Sequence, residues 1–489
     1  MARTYEPVIG LEVHAQLLTR SKMFCGCSTE FGAPPNTHVC PVCLGLPGAL
    51  PVPNGGAVEM AIRAALALGC TVRNRSRFAR KNYFYPDLAK NYQISQYELP
   101  LNEHGRLEIE VDGVKRRVGI VRIHLEEDAA KNLHPVGAGG DTLVDFNRGG
   151  TPLMEIVSDP DMRSAAEAEE YLRKLREILM FAGVNDGNLE EGSFRCDANV
   201  SLRPTGQKQL GTRVELKNIN SFRFVRKAIE YEVMRQQSVL DSGGIVEQET
   251  RAWNVEQSRS FTMRSKEEAM DYRYFPDPDL PELVVSDEMI ARARAQLAEL
   301  PAEKRARYRS ALGLTEYDAS VLTSHPAISS YFESCTNELL KACEKPLSPQ
   351  QAGKRCANFI QSEVMRYLKT EGLGLQVPVT ASRLAELIAI VEIGAISGKM
   401  AKEVFAQMAA TGKAAKKVVE QKGLSQISDA SVIDGEVERL IQAHPEQVEQ
   451  YRSGNKKVLG FFVGQVMKAT KGSANPKMVN EALRKYLEG

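Results

Sequence analysis

The stretch V-I-G-L-E-V-H-A-Q-L, Val8 to Leu17, decides the architecture of the first half of the chain. Ile9, Leu11, Val13, Ala15 and Leu17 alternate with Gly10, Glu12, His14 and Gln16, which is the period of a half-buried strand with one apolar and one polar face. Glu12 and His14 then share the polar face. A carboxylate and an imidazole so placed form half a site for a divalent ion, or an acid/base pair. The same spacing suits a strand whose outer face is merely wet, so the pattern gains weight only where it recurs.

It recurs further along the chain. Leu107, Ile109 and Val111 alternate up to the hairpin turn Asp112-Gly113, and the return strand ends in H-L-E-E-D. There Val121, Ile123 and Leu125 share one face and His124, Glu126 and Asp128 the other, with Glu127 completing an acidic cluster. Glu155 is a lone carboxylate within T-P-L-M-E-I-V, costly to bury unless it meets a cation or a partner, edge exposure being the alternative. In Ser193–Arg203 the apolar Phe194, Cys196, Ala198, Val200 and Leu202 oppose Arg195, Asp197, Asn199, Ser201 and Arg203. Arg213–Asn218 repeats the pattern as the expected neighbour. Such mixed polarity predicts the floor of a polar ligand site, with Arg195, Asn199 and Lys217 as binding candidates. Arg77–Asp87 interleaves cations and aromatics, so Lys81, Tyr83 and Tyr85 are candidates to neutralise a phosphate and stack a base, for ATP or an RNA end. A Tyr-rich strand with solvated cations is the plain alternative.

Directly after the first strand come Cys25-Gly26-Cys27 and, twelve residues on, Cys40-Pro41-Val42-Cys43. Two close cysteine pairs can each grip one edge of a tetrahedron, so Cys25, Cys27, Cys40 and Cys43 are expected to hold zinc. Sulfur in all four positions leaves no open site, which makes such zinc structural. Cys70, Cys196, Cys335, Cys343 and Cys356 lack this spacing and read as buried small hydrophobes. Val58, Ile62, Ala65 and Leu66 predict a helix ending at Gly69. Ser164 and Glu167 predict a capping box before a second helix that ends at Gly183.

The 489 residues are 43% hydrophobic and 26% charged, with a net charge of +1, enough for two to four domains and without a global bias toward nucleic acid. The chain shows no signal-peptide pattern and no apolar run of membrane-spanning length, which makes the cytoplasm the expected location and excludes a membrane partner. From about Asp287 onward alternation gives way to Ala, Leu, Glu, Lys and Gln, so the fold expected is α+β. A mixed, largely antiparallel β cradle with packed helices over residues 1–290 precedes an all-α domain over 291–405 and an all-α tail over 406–489. Between Tyr451 and Lys477 stand Arg452, Lys456, Lys457, Lys468, Lys471 and Lys477 with no acidic residue, and small residues surround Phe461 and Phe462. Lys456, Lys457, Lys468 and Lys471 are therefore candidates for an RNA backbone, a solvated basic face being the alternative.

The motifs G-L-E-V-H, S-K-M-F-C, L-P-G-A-L-P-V-P-N, R-K-N-Y-F-Y-P-D, Y-Q-I-S-Q, H-L-E-E-D, N-R-G-G-T-P-L-M-E-I-V, R-C-D-A-N-V-S-L-R-P, E-L-K-N-I-N-S-F and D-Y-R-Y-F-P-D-P-D stand in the order found in the B subunits of the aspartyl/glutamyl-tRNA amidotransferases. The chain resembles that family along its whole length, and its tail resembles the family's terminal RNA-binding (YqeY-like) helices. It has no room for the synthetase-like insertion of the archaeal E-type relatives. The resemblance implies an ATP-dependent transamidation of mischarged Glu-tRNA(Gln) or Asp-tRNA(Asn): the side-chain carboxylate is phosphorylated, and ammonia displaces the phosphate. It implies Mg2+ at Glu12, His14, Glu126, Glu127 and Glu155, catalytic roles for Glu12, His14, Glu126 and Asp197, and structural Zn2+ at the four clustered cysteines. No Ser-Ser-Lys constellation or nucleophilic cysteine motif is visible, so ammonia must come from a partner, which the resemblance implies is an amidase (glutaminase) chain, with a small third chain completing a heterotrimer. No P-loop motif identifies the ATP ligands. Two other classes compete, a zinc-stabilised non-catalytic tRNA-binding protein and a stand-alone metal-dependent hydrolase. Repeated acidic faces disfavour the first, since carboxylates repel phosphate, and lack of a nucleophile or water-activating site disfavours the second.

Overall fold

The computed structural model describes residues 4–133, 141–265, 271–343, 345–370, 375–424, 430–470, 474 and 476–488. Two compact units divide the chain at Pro301/Ala302. Chain order in the first gives β1 Tyr5–Gln16, α1 Gly55–Ala67, β2 Thr71–Val72, β3 Arg75–Ser76, β4 Ala79–Asn82, β5 Tyr92–Ser95, β6 Asn102–Val111 and β7 Val114–Glu127. There follow β8 Lys131–Leu133, β9 Leu143–Asp145, β10 Pro152–Ser158, α2 Ala165–Phe181, β11 Phe194–Pro204, β12 Val214–Lys217, α3 Phe222–Asp241, β13 Glu249–Asn254, β14 Arg259–Ser265, β15 Phe275–Pro276, β16 Leu283–Val284 and α4 Asp287–Ala295.

Nine of these strands form one sheet in the order β14-β13-β12-β11-β1-β10-β7-β6-β2, antiparallel except for β12 and β13, which run parallel across the α3 crossover. β1 lies inside the sheet, hydrogen-bonded on both edges. Its Ile9, Leu11, Val13 and Ala15 are fully buried in a core shared with Ala61 and Ile62 of α1, Tyr171 and Leu175 of α2, and Ala228 and Ile229 of α3. Burying each of Ile9, Leu11 and Val13 contributes roughly 1.5 to 3 kcal/mol, so the alternation fixes which face turns inward. The helices cover that face, and Glu12, His14 and Gln16 stand on the other. At the β6–β7 turn Asp112 and Gly113 both have positive φ, 52° and 77°, as a two-residue hairpin with the right twist requires. Ser164 caps α2 through the Glu167 N–H, but the Glu167 carboxylate accepts from Arg163 N and Arg116 instead of closing a reciprocal box on Ser164. Cys196, Cys335 and Cys356 are buried as expected; Cys70 and Cys343 are only half-buried.

The second unit is helical among its described residues: α5 Pro301–Leu312, α6 Glu316–Leu322, α7 Pro326–Ala342, α8 Pro349–Phe359, a π-turn at Ile360–Val364, α9 Met365–Thr370, α10 Ala381–Glu392, α11 Gly398–Thr411 and α12 Ala415–Lys422. α13 Ala430–Ala443, α14 Pro445–Arg452, α15 Val458–Ala469 and α16 Pro476–Glu488 complete it. Its described residues form two cores, one running from Tyr308 to Val418 and one built from Ile433, Val437, Phe462, Val466, Leu483 and Leu487.

Candidate functional site

Strand register assembles the site. His14 lies opposite Glu155 on one side and Arg195 on the other, and Glu155 in turn lies opposite His124. One step along, Glu12 faces Val157 and Asp197, and Val157 faces Arg122; one further, Gly10 faces Asn199, and Asn199 faces Glu215. Because every second residue returns to the same face, these rows stack polar groups side by side across β7, β10, β1, β11 and β12. They floor a cavity of about 410 Å³ whose lining includes Glu12, His14, Lys81, Arg122, His124 and Glu155 together with Asp197, Arg213, Glu215, Lys217, Tyr272 and Tyr274.

His14 and Glu155 of its lining, with the buried Glu126 behind them, bring one ligand atom each to within 4.8 Å of one another, a set that could hold a metal ion. His14 Nε2 is 3.5 Å from Glu155 and 3.9 Å from Glu126; His124 Nε2 is 3.3 Å and 3.7 Å from the same two carboxylates. The Ser95 hydroxyl donates to Glu126 at 3.1 Å. Burial alone would push both carboxyls up, yet His124 and His14 hold Glu155 well below its ordinary value and Glu126 below it too. The imidazoles move the opposite way: against the lowering effect of burial, Glu155 and Glu126 raise His14 to about 9 and also raise His124. Glu12 differs. Burial and the Glu155 charge raise it, with only the amide of Asn199, donating at 2.9 Å, pulling it down.

Cations rim the cavity. Lys81 lies over the Tyr272 ring at 4.8 Å, and although its burial opposes the charge, Glu126 raises its pKa. Tyr272 and Tyr274 reach it because β15 pairs with β4 and the Asn82 N–H donates to Tyr272 O at 2.9 Å. Lys217 pairs with Asp197 and Glu215; burial would lower its pKa, and these two carboxylates raise it instead.

Of the residues expected from the sequence, Glu12, His14, Glu126, Glu155, Lys81, Asp197 and Lys217 meet here. Glu127 does not. The strand alternation sends it away from Glu126, into a separate cavity of about 130 Å³, where it accepts from Lys90 at 2.6 Å and from Ile94 N at 3.0 Å. Arg195 is turned to Asp128 at 2.8 Å, Asn199 serves Glu12, Tyr83 stands edge-on to Tyr272, and Tyr85 is exposed. His124, Arg122, Arg213, Glu215, Tyr272 and Tyr274 also line the cavity and are not among the candidates the sequence singles out. The face shared with Glu126 and the D-Y-R-Y-F-P motif were the available signals for His124 and the two tyrosines.

The four clustered cysteines converge, with Sγ atoms all within 4.8 Å and Cys40–Cys43 at 3.9 Å. A tetrahedron with metal–sulfur bonds of about 2.3 Å has edges near 3.8 Å. A hydrogen bond from Cys25 pulls Cys43 toward the thiolate while Cys25 itself is pushed up. In the tail, Lys456, Lys457 and Lys468 are exposed; Lys471 lies outside the described residues.

Residues 7–291 match the model of the GatB/GatE catalytic domain, and residues 341–487 match that of the GatB domain. The chain is 55% identical to the aspartyl/glutamyl-tRNA(Asn/Gln) amidotransferase B subunit of Syntrophotalea carbinolica, covering all of both chains. It is likewise 55% identical to that of Geotalea uraniireducens (99% of this chain, all of the relative), and 52% to that of Myxococcus xanthus (99% and 98%).

Proposed function

Since the chain belongs to the family of aspartyl/glutamyl-tRNA(Asn/Gln) amidotransferase B subunits, we propose that its polar sheet face is where a mischarged tRNA is activated. The side-chain carboxylate of Glu or Asp, esterified to the tRNA end, attacks the terminal phosphorus of ATP and releases ADP. Ammonia then attacks the acyl carbon, phosphate leaves, and Gln-tRNA(Gln) or Asn-tRNA(Asn) results. The observation that carries this reading is the convergence of His14, Glu126 and Glu155 at the wall of an open cavity that Lys81 also lines.

Two carboxylates kept ionised suit a hard dication, and magnesium prefers oxygen ligands while retaining waters, through which an imidazole would reach it. Bound there, magnesium supplies charge neutralisation to phosphate oxygens. The chain's own groups do the rest. Lys81, Arg122 and Arg213 offer positive charge along the cavity for phosphates, Tyr272 and Tyr274 offer ring faces, and Asn199 and His124 hold the acidic groups in place. Glu12 and Asp197 join the catalytic set, while Glu127 has no part in it. Cys25, Cys27, Cys40 and Cys43 fit a structural zinc. Ammonia comes from a partner amidase, held together with a small third chain in a heterotrimer. Residues 1–290 form the activating domain, 291–405 a helical domain, and 406–489 the tail that grips the tRNA body through Lys456, Lys457, Lys468 and Lys471. No described helix is long and apolar enough to cross a membrane, and the cytoplasm, where charged tRNA is found, is the compartment this reading needs.

In the reconstituted complex Glu126→Gln and Glu155→Gln should abolish ADP formation driven by mischarged tRNA while glutamine hydrolysis by the partner is at least partly retained. Wild-type amidation rates in both variants would sink the assignment.

A further inference from the structure

Lys22, between β1 and the first cysteine pair, is fully buried. A buried ammonium is costly, several kcal/mol even after relaxation, unless negative charge meets it. Yet the described residues give Lys22 no carboxylate. Its Nζ donates to the Phe146 carbonyl at 3.1 Å and lies 3.7 Å from Cys43 Sγ. Glu127, the acid in the cavity that Lys22, Cys25 and Cys43 also line, is already taken by Lys90. A carbonyl dipole alone is a poor match for a full charge.

The backbone is arranged to keep the side chain where it is. Lys22 N donates to Cys27 O at 3.0 Å, and Met23 N to Gly150 O at 2.7 Å, which clips the lysine between the first cysteine pair and the turn that leads into β10. Gly150 sits at φ +86°. A Cβ there would stand 3.3 Å from Lys22 Cδ and 3.6 Å from Cys43 Cβ, so glycine clears the channel through which the stem reaches the sulfur.

We propose that Lys22 is the counter-charge of the four-cysteine centre, a positioning residue that offsets the negative charge of a half-buried tetrathiolate metal site from its buried side. This rests on the zinc reading above. Four thiolates around a divalent ion sum to two negative charges, and Lys22 offsets one of them at Cys43 while tying the knob to the Phe146–Gly150 turn. The pairing also answers the reverse question, why a lysine is buried here at all.

The test uses the full chain in its assembled complex. Zinc content is measured first, then zinc transfer to a chromophoric chelator for wild type and Lys22→Met. Losing an outer partner of a metal ligand typically costs about ten- to a hundredfold in affinity, so with an unchanged on-rate the variant should release zinc faster by about that factor. Thermal unfolding of the same substitution is compared in wild type and in a Cys40→Ser, Cys43→Ser background. Lys22→Met should lower the melting temperature in the first and leave it unchanged or raise it in the second, where the ammonium has lost its anion. Equal destabilisation in both backgrounds, or unchanged zinc release, would overturn the role of Lys22 and leave the zinc reading standing. Absence of zinc from the wild-type complex would overturn both. If Lys22→Met alone does not fold, the variant lacking both the lysine and the cysteine pair decides: its recovery as folded protein supports the pairing, its failure refutes it.

Discussion

Replacing Lys456, Lys457 and Lys468 by Ala isolates the tail's contribution to tRNA binding. All three side chains are exposed, and none belongs to the core of Ile433, Phe462 and Leu483, so the fold should survive. Lys456 lies over the Tyr451 ring at 4.2 Å and 3.8 Å from Glu488, but it is 65% exposed, and a phosphate can compete for it. Each phosphate contact releases counterions and adds about 0.7 to 0.9 to the slope of log affinity against log salt, so three contacts amount to roughly 2 to 3 units. Between about 50 and 200 mM salt the wild-type complex should therefore lose about 20- to 40-fold more affinity for tRNA than the variant does. Fluorescence anisotropy with labelled tRNA across that range reads the slope, and the Michaelis constant for charged tRNA should rise in parallel. Glutamine hydrolysis should be unaffected. An identical slope in wild type and variant would mean that the basic face is only solvated.

Two further expectations concern single side chains. Asn199→Ala removes the one side-chain hydrogen bond that steadies Glu12 among the described residues; a bond to a charged group contributes about 1.5 to 3 kcal/mol, so amidation should slow about ten- to a hundredfold with an unchanged circular dichroism spectrum, and an undiminished rate would remove Asn199 from the machinery. Glu333, buried enough to be pushed up, is instead held below the ordinary carboxyl value of 4.5 by Lys304 and Arg307. A depressed folded-state pKa gives stability that is present above the unfolded value and lost as pH falls through the folded one. Glu333→Gln should thus lower the melting temperature at neutral pH, with the gap closing below pH 4.5; a gap independent of pH would contradict the ion-pair account.

Alternation in the sequence was enough to find the sheet and to put Glu12, His14, Glu126 and Asp197 on one side of it, because the period of two is a property of each strand alone. Register is not. That Glu155 stands between His14 and His124, and Asp197 beside Glu12, depends on pairings between strands far apart in the chain, which no local window contains. Glu127 shows the converse: adjacency to Glu126 suggests a shared role, whereas neighbours in a strand point to opposite faces, and Glu127 turns to Lys90. Arg195 lies on the floor as expected but is engaged by Asp128. Tyr272 and Tyr274 arrive through the short β4–β15 pairing, and nothing in Ser21-Lys22-Met23 distinguishes a buried lysine from an exposed one.

The position of β1 also bears on how the chain is made. Leu11 bonds Ser158 from 147 residues away, and Asn199 reaches Glu12 across 187. At ribosomal rates of about 5 to 20 residues per second, the first strand waits about 10 to 40 s for its second neighbour. Until β10 is made both its edges are open to other chains, and from then until β11 is made one edge is, with the Ile9–Leu17 apolar face uncovered as well, which makes nascent β1 a segment in need of a holding chaperone. A permuted chain in which β1 is synthesised after β10 and β11 would meet both neighbours at once and remove the wait.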